Sequence, residues 1–497
     1  MTDTAHATGH DVVVLGGGVA GCVLAARLSE DPGRSVCLVE AGRDYGPRRQ
    51  DWPAKLLDAR ALPRDHVWER HTAAHRIRAR VLGGSSCVNG CWHTWGSEAD
   101  HAEWARAGGP RWTAAAMEPF RERAAARMGL RPVPEHEHSA WSEAALAAAR
   151  SLGHPEVDMA APGGPGYGTP LLNAVDGVRA NAAFAYLEQA RTRPNLTILD
   201  RATVDRLTVR GGRVHGVDVV MDRGRTTLRA DTYLLASGTF GSPAVLLRSG
   251  IGPADDLARS GVRPVLDLPG VGANLTDQPG VFLPLRPTPG LNARLAEKEA
   301  AGDLYVTRTL IRAASPYCPE GAWDLHINPV AGPPLFGDLP PGQYEAGVAT
   351  FLMKPRSRGQ VRLRSADPSA GLDLDPAFLS DEDGHDLAVL RSGLRMAEEL
   401  AATVPLKSLA APAEGPSPRE LPDQELRGRV GTYWHPVGTC AMGAPDDPYA
   451  VVDGEGRVRG VSGLRVVDAS ILPTVPAANT QLPVLALAEM LAAALTA

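Results

Sequence analysis

Residues 11–21, Asp-Val-Val-Val-Leu-Gly-Gly-Gly-Val-Ala-Gly, constrain the fold more than any other stretch. Val12 to Leu15 form a short β-branched, apolar run, the composition of a strand buried on both faces. Gly16, Gly18 and Gly21 follow with the spacing G-x-G-x-x-G, and Cys22, Val23, Leu24, Ala25, Ala26 and Leu28 read as a helix packed on a sheet. The first glycine permits a tight strand-to-helix turn, the second lets a pyrophosphate approach the backbone, and the third lets helix and strand pack closely. Backbone N–H groups at the helix start, at Val19 and Ala20, favour the phosphate charge. A second strand, Ser35 to Val39, ends at Glu40-Ala41, about twenty residues past the last glycine. A carboxylate there accepts the hydroxyls of an adenosine ribose and repels a 2′-phosphate. A chance glycine cluster in a loop is the competing reading. Strand, helix, second strand and terminal acid in this order favour dinucleotide binding, with FAD and NAD unseparated.

At 497 residues the chain has room for two or three domains or one large two-part enzyme. A net charge of −6 gives no reason to expect nucleic acid or an anionic membrane as partner. The six cysteines, at 22, 37, 87, 91, 318 and 440, form no disulfide-scaffold pattern, and Cys87 and Cys91 have no second pair to complete a zinc site. They read as buried or cofactor-adjacent thiols. No signal peptide and no transmembrane stretch is visible, so a cytoplasmic location is expected. Residues 44–80, rich in Pro, Arg, Asp and His, read as irregular surface structure, and His66, His71 and His75 as solvated loop histidines rather than metal ligands.

Next comes Arg80-Val-Leu-Gly-Gly-Ser-Ser-Cys-Val-Asn-Gly-Cys-Trp92, two glycines followed by hydroxyls and an amide. That is a backbone crowded against something flat or anionic. Arg201 to Val219 alternates as strands around Arg210-Gly-Gly-Arg213, Thr232 to Ala236 is an apolar strand, and Pro243–Arg248 a helix ending near Gly250 and Gly252. Trp323–Val330, Gln343–Leu352 and Gly359–Ser365 have strand character. Glu382–Thr403 carries Leu387, Leu390, Leu394, Met396 and Leu400 at helical spacing. Near the C-terminus a strand at Leu464–Val467 precedes a buried helix from Pro483 to Thr496.

The sequence resembles the glucose–methanol–choline (GMC) family of FAD-dependent oxidoreductases. Its first signature is similar to Arg80–Gly96, continuing through Asp100, Trp104 and Trp112, and its second to Gly238–Gly252. Further matches are Leu268–Asp277, Pro355–Ser365, Trp434-His-Pro-Val-Gly-Thr439, Val467-Asp-Ala-Ser470 and Asn479-Thr-Gln-Leu-Pro483, in family order. The resemblance implies FAD as the dinucleotide. It also implies an α/β fold, in which a Rossmann-like FAD-binding domain (1–135, 186–275 and 431–497) joins a discontinuous α+β substrate domain (136–185 and 276–430) built on an antiparallel sheet.

By the same resemblance, Gly83, Gly84, Ser85, Asn89 and Gly90 line the flavin, Val204 lies against the adenine, and Ser237 and Gly238 belong to the FAD sheet's return. Asp468 and Ala469 hold the ribityl and pyrimidine side, and Gln481 completes the cofactor contacts. Some members attach FAD through a His in the first signature; here that position is Val88, which implies non-covalent FAD. His435 stands at the family's catalytic base and Asn479 at its His-or-Asn partner. The implied activity is oxidation of a small-molecule alcohol to a carbonyl, by hydride transfer to flavin N5, with oxygen or a redox carrier as acceptor. Asn479 cannot take the proton, so it can only orient the hydroxyl and the resulting oxyanion. No metal is implied.

Gln278 occupies a place where the family usually has His, and the sequence alone gives no account of it. Trp92, His93, His326 and Asn328 are candidates for the substrate pocket, with packing as the competing role. The 44–80 region is short where a lid usually lies, which suggests a more open site. A light-driven fatty-acid decarboxylase of the same family and a non-catalytic flavoprotein are the alternatives; the His435/Asn479 pair argues against both.

Overall fold

The computed structural model describes residues 9–68, 77–334 and 339–496. Strand β1 (Gly9–Leu15) is followed by helix α1 (Val19–Leu28) and strand β2 (Val36–Val39). Val13, Val14 and Leu15 are fully buried, because β1 is covered on both faces and paired in parallel on both edges. One neighbour is β2, with Val12 opposite Val36; the other is the long strand Gly224–Leu235, with Val12 opposite Thr232. Leu196–Leu199 extends this sheet beyond β2, and Leu464–Val466 pairs in parallel with Tyr233–Leu235. The first half of Gly224–Leu235 leaves the parallel sheet and joins an antiparallel meander with Thr203–Arg210 and Arg213–Met221. That hairpin turns at Gly211 and Gly212, both at positive φ, as the Gly-Gly pair suggests.

Helix Gln481–Thr496 packs against α1. Apolar on every face, it has to be enclosed, and Leu482, Val484, Leu485, Leu487, Met490 and Leu491 are all buried. Each such side chain contributes about 1.5–3 kcal/mol through burial. Glu489, the one charged residue of this helix, is fully buried and accepts a hydrogen bond from Arg27 Nε of α1 at 2.7 Å. The helix starts two residues before Pro483, which its first turn tolerates.

A second, wholly antiparallel sheet runs in the order Ala410–Pro412, Pro279–Pro287, Glu345–Leu352, Leu325–Gly332, Leu310–Ala313 and Gly166–Gly168. Gly431–Thr432 adds to the end of Pro279–Pro287. Helix His385–Ala401 covers this sheet with Leu390 and Leu394 fully buried, and its Gly393 lets Thr350 and Leu325 approach. The fold is thus the expected α/β arrangement, a parallel Rossmann-like sheet beside an antiparallel sheet backed by helices.

The described part of 44–80 is irregular apart from two short helices, Arg49–Asp51 and Ala54–Leu57. His66 is not freely solvated; it is partly covered and bonded to Tyr45 Oη at 2.8 Å and Asp65 at 3.1 Å. His71 and His75 lie outside the described residues. All six cysteines are free thiols, and five of them are buried. Among the described residues, no cluster of three or more His, Cys, Asp or Glu could hold a metal, and no helix is long and apolar enough to cross a membrane.

Candidate active site

One cavity of about 780 Å³ runs from the end of β1 to the face of the antiparallel sheet. At its first end Gly18 is the N-cap of α1 and supplies no side-chain cap, so the N–H groups of the first helical turn are left for another acceptor. A Cβ added at Gly18, Gly90 or Gly238 would meet nothing within 4 Å and would project into open space. One added at Gly84 would strike the Cα of Gly18 at 2.7 Å. The glycines therefore bring two stretches of backbone together while keeping the groove between them clear, the shape an extended phosphate-containing ligand requires.

Gly16, Gly18, Val19, Ala20, Glu40, Ala41, Gly84, Ser85, Asn89, Gly90, Val204, Ser237, Gly238, Asp468, Ala469 and Gln481 all line this cavity. Gly21 and Gly83 do not. Gly21 lies behind the wall, where a Cβ would sit 1.8 Å from the carbonyl oxygen of Gly16. Gly83, at φ +95°, packs against Cys87 and donates its N–H to Gly17 O at 2.8 Å. Both shape the wall rather than form its surface.

Glu40 accepts from Gly17 N at 2.8 Å and Gly42 N at 2.6 Å, and burial pushes its carboxyl up to about 7. These bonds use two of its roughly four acceptor positions, leaving capacity for hydroxyl donors. Asp468 ties two chain stretches together. One oxygen accepts from Gly238 N (2.8 Å) and Ser242 Oγ (2.5 Å), the other from Ser470 N (2.8 Å) and Ser470 Oγ (2.5 Å). Asn89 donates to Gln481 Oε1, joining the first signature to the C-terminal helix.

The helix over the second signature begins at Gly238, five residues before Pro243, and not at the proline as the sequence suggests. Pro243 lacks an N–H, so the carbonyl of Thr239, four residues back, has no helical donor. Thr439 Oγ1 takes that place at 2.5 Å, while Thr239 Oγ1 donates to Pro436 O at 2.7 Å. Two hydrogen bonds thus dock the stretch 436–439 onto this helix.

That stretch follows His435. Trp434 sits at φ +62°, a left-handed conformation that costs a bulky residue about 1–3 kcal/mol. Buried Asp277 holds the turn in place, accepting from His435 N at 2.8 Å and Thr432 Oγ1 at 2.6 Å, while Thr432 Oγ1 accepts from Trp434 N at 2.8 Å. The His435 ring lies in the cavity wall, with Nδ1 2.6 Å from Gln278 Oε1 and Nε2 3.4 Å from Asn479 Nδ2. Asn479 also lines the cavity; its N–H donates to Thr94 Oγ1 at 2.9 Å, and Thr94 Oγ1 donates to its Oδ1 at 2.9 Å.

Burial, reinforced by the nearby Arg78 guanidinium, lowers His435 to about 3. The imidazole is therefore neutral throughout the physiological range and free to accept a proton. Tyr433, pushed up to about 12 by burial, remains protonated and accepts from Asn328 Nδ2 at 2.8 Å. Its ring stacks on Phe351, with centroids 3.8 Å apart and an interplanar angle of 6°, and lies 4.5 Å from the His435 ring. Trp92 and Asn328 line the cavity, whereas His93 and His326 are fully buried outside its wall. The supporting contacts of Thr94, Tyr433 and Thr439 escaped sequence reasoning, since these hydrogen-bond partners lie between 105 and 385 residues away.

This cavity and the two-sheet fold have the shape of a dinucleotide-binding protein, and comparison with known proteins specifies the family. The GMC oxidoreductase models match residues 10–280 and 355–488, and the chain belongs to that family, whose members are FAD-binding flavoproteins. It is similar to 5-(hydroxymethyl)furfural oxidase of Methylovorus sp. (35% identical, covering 100% of this chain and 99% of that one). It is also similar to the oxygen-dependent choline dehydrogenase of Paraburkholderia phymatum (34% identical, 97% and 92% covered). Among solved structures, pyridoxine 4-oxidase from Mesorbium loti superposes with a TM-score of 0.83 at 29% identity, covering 98% of this chain and 99% of that one.

Proposed function

We propose that this protein oxidises an alcohol to a carbonyl, with His435 as general base, Asn479 as orienting partner and FAD as a non-covalent cofactor. The observation that carries this reading is the 3.4 Å meeting of His435 Nε2 and Asn479 Nδ2 in the same cavity as the glycine cradle. When bound, FAD supplies the acceptor for the substrate's hydride. The cradle at Gly16–Ala20 and Gly84–Ser85 suits the pyrophosphate, Glu40 the ribose, and Asp468–Ala469 the far side of the ring system. His435 Nε2 takes the hydroxyl proton, and Asn479 Nδ2 donates to the substrate oxygen and to the negative charge that grows on it.

On this reading residues 1–135, 186–275 and 431–497 serve the cofactor, while 136–185 and 276–430 serve the substrate, although strand Gly431–Thr432 pairs within the antiparallel sheet. Val88 lines the cavity, and among the described lining residues His435 is the only His or Cys. That favours FAD held without a covalent bond, and acid precipitation should release all the flavin into the supernatant. The stacked Phe351–Tyr433 pair, with Trp434 and Phe282 in the same wall, favours an alcohol carried on a flat ring. The names of the furfural and pyridoxine oxidases accord with such a substrate. The protein works in the cytoplasm, passing electrons to oxygen or another carrier.

The test is anaerobic mixing of the yellow holoprotein with hydroxymethyl arenes and heteroarenes, aliphatic alcohols, polyols and choline, followed by reoxidation with oxygen or dyes. Ring-borne primary alcohols should bleach the flavin fastest. An absence of bleaching by every alcohol would refute the activity.

The lowered His435 also sets a pH profile. A histidine whose pKa is depressed stays unprotonated to lower pH, so the base is competent well below its ordinary value of 6.5. Flavin reduction per unit substrate is expected to hold level from pH 8 to about 5 and to fall only below that. An acid limb near pH 6.5 would show that the imidazole is not held neutral.

A further inference from the structure

Gln278 is fully buried, and its side-chain amide has one orientation that satisfies its neighbours. Nε2 lies 2.8 Å from the carbonyl oxygen of Pro476 and 3.5 Å from that of Ala478. Both oxygens only accept, so the nitrogen belongs on that side and Oε1 faces His435 Nδ1 at 2.6 Å. An amide oxygen also only accepts. The hydrogen of a neutral His435 therefore resides on Nδ1, and Nε2 carries the lone pair. At the opposite edge of the ring Asn479 presents an N–H₂ group, which only donates, its own orientation fixed through Thr94.

We infer that Gln278 is the positioning residue that sets the tautomer of His435, holding hydrogen on Nδ1 so that Nε2 faces the substrate as a base. This role rests on the reading of His435 as the base. Gln278 also ties the base to the loop that carries its partner, since Pro476 and Ala478 immediately precede Asn479. Asn479, donating at Nε2, favours the same tautomer from the opposite edge, and the remaining groups facing His435 supply no acceptor at Nδ1. Asp277 accepts the backbone N–H of His435, Arg78 is a cation, Tyr433 Oη accepts from Asn328 Nδ2, and His326 is buried and neutral against the Tyr433 ring. Because an amide does not titrate, the base has no ionisable partner at Nδ1.

The test compares holoenzyme carrying Gln278→Leu or Gln278→Glu with wild type, after matching FAD content and melting temperature. In ¹⁵N-histidine-labelled wild type, the signal that disappears in His435→Ala should show hydrogen on Nδ1. Gln278→Leu is expected to slow flavin reduction at saturating alcohol on the order of 100-fold, with little change in alcohol affinity, and to mix the two tautomers. Gln278→Glu accepts the same N–H and adds a negative charge beside it. It should keep the Nδ1 tautomer and raise the acid limb of flavin reduction by about 1–3 pH units. A wild-type tautomer with hydrogen on Nε2, or a Gln278→Leu rate within twofold of wild type, would overturn the inference. Should Gln278→Leu fail to fold, the labelled wild type and the pH profile of Gln278→Glu decide, and an unmoved acid limb in the latter counts against it. If His435→Ala reduces flavin at the normal rate, the base assignment fails. If that variant is inactive while Gln278→Leu is unaffected, only the role given to Gln278 fails.

Discussion

His435→Ala is expected to give folded, yellow, FAD-loaded protein whose flavin is reduced by alcohol on the order of 10³-fold more slowly than in wild type, the scale of a lost general base. The folded state should persist because the loop does not depend on the ring. Its anchors are the backbone N–H of His435 on Asp277 and the two threonine contacts to the helix at Gly238. Asn479 remains to orient the hydroxyl but has no lone pair on its nitrogen with which to accept the proton. Stopped-flow bleaching under nitrogen measures the effect. A rate within tenfold of wild type would remove His435 from the chemistry.

Gly21→Ala is expected to yield little or no holoprotein. Gly21 lies in the first turn of α1, and within a helix alanine is ordinarily the better residue by up to about 1 kcal/mol. Here the added methyl carbon would lie 1.8 Å from Gly16 O and 3.0 Å from Gly16 C, atoms of the turn itself and not of a side chain that can rotate away. Relief requires α1 to move off β1, and a strain above about 3 kcal/mol is a large part of a total stability of about 5–15 kcal/mol. The ratio of flavin to protein absorbance, with a thermal melt, reads the outcome. Gly9→Ala, where a methyl group would meet nothing within 4 Å, serves as the control and should be neutral. A fully loaded Gly21→Ala protein with wild-type melting would show that this close approach is not needed.

The elements that the sequence makes legible are those whose patterns are local. The run Val12–Leu15, the glycine spacing and the helix after it fix one another within twenty residues, and the structure reproduces them with small shifts in their ends. The same holds for the Gly211–Gly212 hairpin and for the leucines of His385–Ala401. His435 and Asn479 are legible through motif resemblance, and their meeting is a product of the fold, 44 residues apart in sequence. What stays hidden is their support. Nothing near Gln278 in sequence indicates that its amide reaches His435, 157 positions later, and nothing near Thr94 indicates Asn479. His93 and His326 carry catalytic-looking chemistry, yet burial places them outside the cavity wall. Gly21 and Gly83 belong to the nucleotide motifs but act one layer behind the surface they shape.

Pro243 looks like a flaw by the standards of helix design, an interruption in a ladder that almost any other residue would complete. Yet the rung it leaves unfilled is the one Thr439 grasps, so the break gives the chain segment after His435 a foothold on a neighbouring helix. Rigid placement of the His435 side chain is here borrowed from an incomplete secondary structure. An engineer who repaired that helix in pursuit of thermostability would be working against the geometry that aims the imidazole.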